Sequence, residues 1–180
     1  DLAFTMHILS WLSTSGTAAI VEFPGVLYRG GAEQKIRKYL IDNNYIDTVI
    51  QLPPDLFFGT TIATCIIVLK KSKKDNSTLF IDASEEFVHE GNKNKLTEAN
   101  RKRILNAYIE RQDEEYFCSL IPNSKIADND YNIAVSSYVT KEDNSEVIQI
   151  EELNARIAEI VIKQNHLRAA IDEIVADLEV

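Results

Sequence analysis

Cysteine, histidine and proline are all sparse in these 180 residues, with counts of two, three and four. Cys65 lies inside an apolar run and Cys118 sits beside Phe117, so the pair forms neither a disulfide framework nor a metal-ligand spacing. His7, His89 and His166 are scattered, with no H-x-x-x-H or C-x-x-C pair, and no bound metal is expected. The apolar runs fall short of the roughly 20 residues that span a bilayer, and DLAFTMHILSWL has no basic signal-peptide start. A cytoplasmic protein without a membrane span is expected. Positive charge is also short: 19 Lys and Arg stand against 28 Asp and Glu, a formal net charge of −9. Sequence-independent affinity for nucleic acid comes from basic side chains replacing phosphate counterions, so any role on DNA must lean on a partner.

What is present is the composition of a soluble globular chain, 45% hydrophobic and 26% charged, long enough for one sizeable core or two small ones. It opens on Asp1 inside an amphipathic pattern, which reads as a piece of something longer. Leu2, Met6, Leu9 and Leu12 recur at helical spacing, and Ser15-Gly16 supplies a stop, predicting a helix to about residue 14. AAIVEF (18–23), ended by Pro24-Gly25, reads as a buried parallel strand. AEQKIRKYLIDN (32–43) reads as a helix with Ile36, Tyr39 and Leu40 facing a sheet and Lys35, Arg37 and Lys38 largely facing solvent. Strands are predicted at 46–52 and 62–70, with a further one at 78–82. This alternation implies an α/β sheet with helices on its faces. The link PPDLFFGTT is too short for a helical crossover, so the strands it joins must form an antiparallel hairpin.

From about residue 84 the texture changes. EEFVHEGNKNK reads as a polar connection, and 96–112 as a helix capped by Thr97. The stretch from Tyr116 to Val139 carries turn residues and no assignable pattern. Ile150, Leu153, Ile157, Ile160, Gln164, Leu167, Ile171, Ile174 and Leu178 alternate spacings of three and four, a heptad seam with one polar position. Such a seam predicts a coiled-coil or helical-hairpin partner, although packing on the chain's own domain uses the same spacing. Three parts follow: 1–83, a mixed connecting region 84–145, and a long helix 146–180 for assembly.

Candidate sites are few. YRGGAEQK (28–35) sets two glycines at a helix N-terminus, where backbone N–H groups can receive an anion, but it is neither G-x-G-x-x-G nor a P-loop. It reads as a strand-to-helix turn, with Arg29 free to touch a phosphate of a larger ligand. Arg101, Lys102 and Arg103 are flanked by Glu98 and Glu110 and read as a solvated helix face. QLPPDLFFGT (51–60) is more specific. A Pro-Pro pair next to an aromatic is part of the motif by which DNA amino-methyltransferases hold their target, yet the flanks here are Leu52 and Asp55. No side chain beside the prolines takes the place of the motif's leading Asn, Asp or Ser, so no catalytic residue is assigned.

Four pieces together resemble the modification subunit of type I restriction-modification systems, an adenine-N6 DNA methyltransferase. They are D-L-A-F with His7, the P-G-V-L-Y-R-G-G-A-E and I-R-K-Y-L-I run, the L-P-x-x-L-F-F-G-T loop, and C-I-I-V-L-K-K. DNDYNIAVSSYV is similar to a further family segment, from which Ala134 and Val135 depart. The resemblance covers most of residues 1–140. It implies the C-terminal part of a Rossmann-like, S-adenosylmethionine-dependent methyltransferase sheet. Residues 18–23, 46–52 and 62–70 would then be its fifth, sixth and seventh strands, followed by a helical extension and the long heptad helix.

The same resemblance implies that the cofactor loop and the catalytic Asn-Pro-Pro-Phe lie upstream of D-L-A-F. Phe57 or Phe58 would stack on the flipped-out target adenine, while the other fills core under the hairpin. Phe4 would border the adenine of the cofactor. The implied partners are a specificity subunit, which the 150–178 helix would meet, a restriction subunit, and double-stranded DNA in the assembled complex. The exposed strand and helix faces imply self-association of the isolated chain. The competing reading is a non-catalytic α/β assembly module that oligomerises through its C-terminal coiled coil. Isothermal titration of this chain with S-adenosylmethionine is expected to show no appreciable binding, whereas a longer chain carrying the upstream motifs is expected to bind; binding by this chain alone would refute the missing-pocket expectation.

Overall fold

The computed structural model describes residues 2–142 and 150–178. The boundary expected at 146 and the last two residues lie outside them. The chain divides into two units, residues 1–142 and 143–180.

The first unit is built on a five-stranded sheet. Helix α1 (Leu2–Trp11) turns Leu2, Thr5 and Leu9 inward, and strand β1 (Thr17–Glu22) follows. A single 3-10 turn at Pro24–Leu27 then leads to α2 (Ala32–Asp42). Strands β2 (Ile46–Gln51), β3 (Cys65–Lys70) and β4 (Ser77–Asp82) complete the next section. The spatial order is β1-β3-β2-β4-β7, where β7 is Cys118–Pro122. β3 lies antiparallel to both β1 and β2, so the expected hairpin is present and β1 and β2 share a direction. β4 joins β2 in parallel, and β7 closes that side antiparallel to β4.

β1 differs from the buried parallel strand expected of AAIVEF. Its ladder partner among the described residues is β3, antiparallel, and its residues alternate between exposed and half-buried. Among the described residues nothing covers its outer edge or the face that carries Ala19 and Val21. An apolar sequence specifies what a strand prefers to touch and not whether the covering element is at hand.

Alternation along the strands splits the core in two. Val49, Cys65, Ile67, Leu69 and Phe80 meet α1, α2 and helix α4 (Asn123–Asp128) on one face. Ile50, Leu79 and Ile81 meet Ala107 and Phe117 on the other, under helix α3 (Glu98–Glu110). α3 starts where expected. The Thr97 hydroxyl accepts from Asn100 N, and the Asn100 side chain accepts from Thr97 N, a reciprocal cap. α3 leaves an apolar trough beside it, floored by Ala19, Ile66 and Val68 and walled by Ile104, Leu105 and Tyr108.

Two further departures from the sequence reading concern α2 and the stretch before α3. Arg37, expected at the surface, is 1% exposed, whereas Tyr39, expected to face the sheet, is largely exposed. The Arg37 guanidinium donates to Val26 O at 2.9 Å and Tyr131 O at 2.8 Å, so remote carbonyls hold it inside. Burial pulls its pKa below the usual arginine value. EEFVHEGNKNK, read as a plain connection, forms a hairpin of β5 (Val88–Glu90) and β6 (Lys93–Lys95), turning at Gly91 with φ of 65°.

The 116–139 stretch, unassignable by pattern, supplies β7, α4 and a clip over the sheet. Ile133, Val135 and Val139 are buried, Ile133 N donates to Leu27 O at 2.9 Å, and the Tyr138 ring lies 4.3 Å from Phe80. The second unit contains α5 (Ile150–Leu178), with Ile150, Leu153, Ile157, Ile160, Leu167, Ile171 and Ile174 exposed. No helix among the described residues is long and apolar enough to cross a membrane.

The Arg37 tether has a measurable consequence. Arg37→Met keeps the stem and leaves two carbonyls without their charged donor, so chemical denaturation should show a loss of about 2–3 kcal/mol. A loss under about 0.5 kcal/mol, the range of an ordinary surface change, would mean that the tether is redundant.

Candidate functional site

β1, β2 and β4 share a direction, so their carboxyl ends, Glu22, Gln51 and Asp82, share one end of the sheet. Open α/β sheets bind ligands beyond the carboxyl ends of their strands. The loop that follows β2 emerges there. Its neck is closed by Leu52 N and the Gln51 Nε2, which both donate to Thr64 O, at 2.9 and 3.1 Å. Beyond the neck the chain reverses at Asp55 and Gly59, with φ of 54° and 77°. Only glycine adopts the latter region without cost, and a short polar side chain tolerates it better than most.

The reversals decide which apolar residue turns inward. Leu56 packs against the core formed by Ile50, Leu52 and Ile81. Neither phenylalanine fills core, contrary to the expectation that one would: Phe57 is 40% exposed and Phe58 is 98% exposed. With Leu56 already seated, residues 57 and 58 fall on the outward side of the turn. An aromatic ring held wholly in water is costly to keep unless something covers it.

Phe4 reaches the same end of the sheet by another route. The Thr5 hydroxyl donates to the Glu22 carboxylate at 3.1 Å, which sets the start of α1 against the carboxyl end of β1. Phe4 is 71% exposed, and Trp11, further along α1, is 80% exposed. The Cys65 thiol donates to Glu22 O at 3.4 Å, and burial, helped by the Glu22 charge, pushes its pKa up to about 12. It stays a neutral packing group and not a nucleophile.

The other sequence candidates are occupied within the fold. The Arg29 guanidinium lies over Gly25, where a Cβ would come within 2.7 Å of it. Gly31 caps α2 with φ of 72°, the flexibility read from the Gly-Gly pair. Lys102 pairs with Glu98 at 2.7 Å. Arg103 bridges Glu86 and Glu114 and lies 4.1 Å from the Phe117 ring centre. Two of the three basic residues are therefore paired with neighbouring carboxylates, and Arg101 lines the trough beside α3.

Sequence similarity gives this geometry its context. The sequence profile described as N-6 DNA Methylase matches residues 1–147. The chain belongs to the N-6 DNA methylase family. It is 46% identical over its whole length to the type I restriction enzyme MpnII methylase subunit of Mycoplasma pneumoniae, of which it covers 33%. It is 35% identical, over 89% of its length, to the MjaVIII methylase subunit of Methanocaldococcus jannaschii, covering 30% of that protein. The crystal structure of a type I restriction-modification methyltransferase subunit from Streptococcus thermophilus superposes with a TM-score of 0.76 at 45% identity, over 77% of this chain and 30% of that one. The chain thus spans about a third of the length of the curated relatives it matches.

Within this family frame, the DNDYNIAVSSYV segment serves packing. Asn132 accepts from Ala134 N at 2.9 Å and Tyr138 OH donates to Asn132 O at 2.6 Å, closing the clip described above. Sequence reading missed Lys93 and Asn94, which contact the Phe57-Phe58 loop from β6. The only available signal was Gly91 between two short polar runs, the mark of a turn.

Proposed function

We propose that this chain is the C-terminal part of a cytoplasmic type I adenine-N6 DNA methylase subunit. Residues 1–83 supply four strands of the end of its Rossmann-like sheet, 84–145 is a connecting region that adds β7 to that sheet, and α5 (Ile150–Leu178) serves assembly. The observation that carries this reading is the placement of β3 between β1 and β2, with the loop that precedes it holding Phe58 in solvent at the carboxyl end of the sheet. The family match supports it.

On this reading Phe58 is the ring that stacks on the extruded adenine, and Phe57 borders it. Unstacking a base costs a few kcal/mol, and an aromatic face returns roughly 1–3 kcal/mol. The cofactor, S-adenosylmethionine, supplies the methyl group when bound. The residues described fit one edge of it: Phe4 offers an apolar ring beside the end of β1, where the adenine of the cofactor would lie. The rest of the pocket belongs upstream, and this chain alone does not methylate. The uncovered edge of β1 and the trough beside α3 are the surfaces that the upstream part of the domain would cover. The specificity subunit meets the α5 seam, the restriction subunit joins the same complex, and DNA is engaged only in that assembly, in keeping with the charge of −9.

The exposed α5 seam also favours the competing reading, a non-catalytic module that oligomerises through this helix. Ile157→Asp with Ile171→Asp separates the two. In the methylase reading the double variant of the full-length subunit fails to co-purify with the specificity subunit. In the module reading a homo-oligomer dissociates instead, which sedimentation would reveal.

Phe58→Ala in the full-length subunit, assembled with its specificity subunit, should lower methylation kcat/KM on the order of 10- to 100-fold, and Phe57→Ala by less. If neither variant slows methylation while both stay folded, the stacking role is wrong.

A further inference from the structure

We infer that Lys93 and Asn94 are positioning residues that hold the Phe57-Phe58 loop in its extended pose, an inference that rests on the base-stacking reading above. The β5–β6 hairpin stands outside the main sheet and is polar, and β5 is fully exposed, so burial of apolar surface does not explain its presence. Asn94 is its one buried residue, and its contacts run into the loop. Its backbone N–H donates to Asp55 O at 3.1 Å and its Nδ2 to Pro54 O at 2.8 Å.

Lys93 acts one step further along. Its ammonium donates to Phe57 O and to Thr60 O, each at 3.2 Å, and lies 3.5 Å from the Asp55 carboxylate. The two carbonyls bracket Phe58 and Gly59, so one cation with three donors satisfies both sides of the exposed tip. Among the described residues, the remaining polar contact from 57 to 62 is Ile62 N donating to Thr60 Oγ1 at 3.0 Å. Without Lys93 the tip would have little to fix its direction.

The hairpin is itself anchored at its base. Glu86, just before β5, accepts from Asn100 Nδ2 at 2.8 Å and pairs with Arg103, both on α3. Thr97, just after β6, is the cap of α3. α3 in turn lies on the core through Ala107. Polar contacts therefore run from α3, which packs on the core, to the base of the hairpin, and from its second strand to the loop tip. Holding a reacting group in place matters because small displacements are amplified in rate.

The test uses the full-length subunit assembled with its specificity subunit, on the duplex it methylates, with 2-aminopurine at the target adenine. Lys93→Met should lower kcat on the order of tenfold and reduce the fluorescence rise that reports base extrusion. KM for S-adenosylmethionine and the melting temperature should stay as in the unaltered protein, and Lys93→Arg should restore activity. Asn94→Ala should act in the same direction. If Lys93→Met leaves kcat and fluorescence unchanged while Phe58→Ala lowers both, the positioning inference fails and the stacking reading stands. If Lys93→Met lowers activity only along with the melting temperature and Arg gives no rescue, the residue is merely structural and the inference again fails. If Phe57→Ala and Phe58→Ala are also without effect, the stacking reading falls and takes the inference with it.

Discussion

The antiparallel insertion of β3 between β1 and β2 is the constraint from which the rest of the first unit follows. Residues 52 to 64, which separate β2 from β3, form a loop with no helix to carry a parallel crossover, and β3 runs back beside β2. That return forces the connecting loop to the carboxyl end of β2. It also gives β3 two faces to fill, and the alternation in CIIVLK does so: Cys65, Ile67 and Leu69 on the α1–α2 side, Ile66 and Val68 on the other. β1 is then attached through β3 and not through a helix-linked parallel neighbour, which leaves its outer edge free.

The same arrangement explains why the two faces of the sheet differ. The α1–α2 face is closed by helices that are near in sequence, with the 131–139 clip sealing it from afar. The α3 face is covered over β2, β4 and β7 and not over β1, and the apolar trough beside α3 follows from that. Exposed Phe4, Trp11, Val21 and Phe23 lie on α1 and along β1. Globular folds do not ordinarily leave so many large apolar side chains in water. In a chain that spans a third of its relatives, these surfaces mark where the remainder of the domain belongs under the reading advanced above.

Some of the charge in this molecule is paired locally within the fold. Asp47 and Asp75 share Arg111 at the end of α3, each at 3.1 Å. Lys73 donates to Ile46 O at 2.7 Å nearby, and its burial pulls its pKa down to about 8. The folded state thus binds this proton more weakly than the unfolded state does. The resulting penalty is present below about pH 8 and is relieved as pH rises toward the unfolded lysine value, near 10.4. Such groups tie loops to the sheet.

Elements whose signals are local were legible in the sequence. The period of α1 and α2, the apolar runs of β2 and β3, the Thr97 cap and the short loop that dictates a hairpin all depend on neighbours within a turn or two. The family resemblance was legible for the same reason, since its motifs are contiguous. What the tertiary structure alone decided are pairings between distant segments. Arg37 looked solvated because the carbonyls of Val26 and Tyr131 that receive it are not its sequence neighbours. Phe57 and Phe58 could not be told from core because Leu56 takes the inward position only once Asp55 and Gly59 have turned the chain. Lys93 and Asn94 carried no pattern at all, since a hydrogen bond to a loop carbonyl asks only for a donor at the right place. Periodicity records which face of an element seeks burial; which remote polar group waits there is a property of the assembled fold.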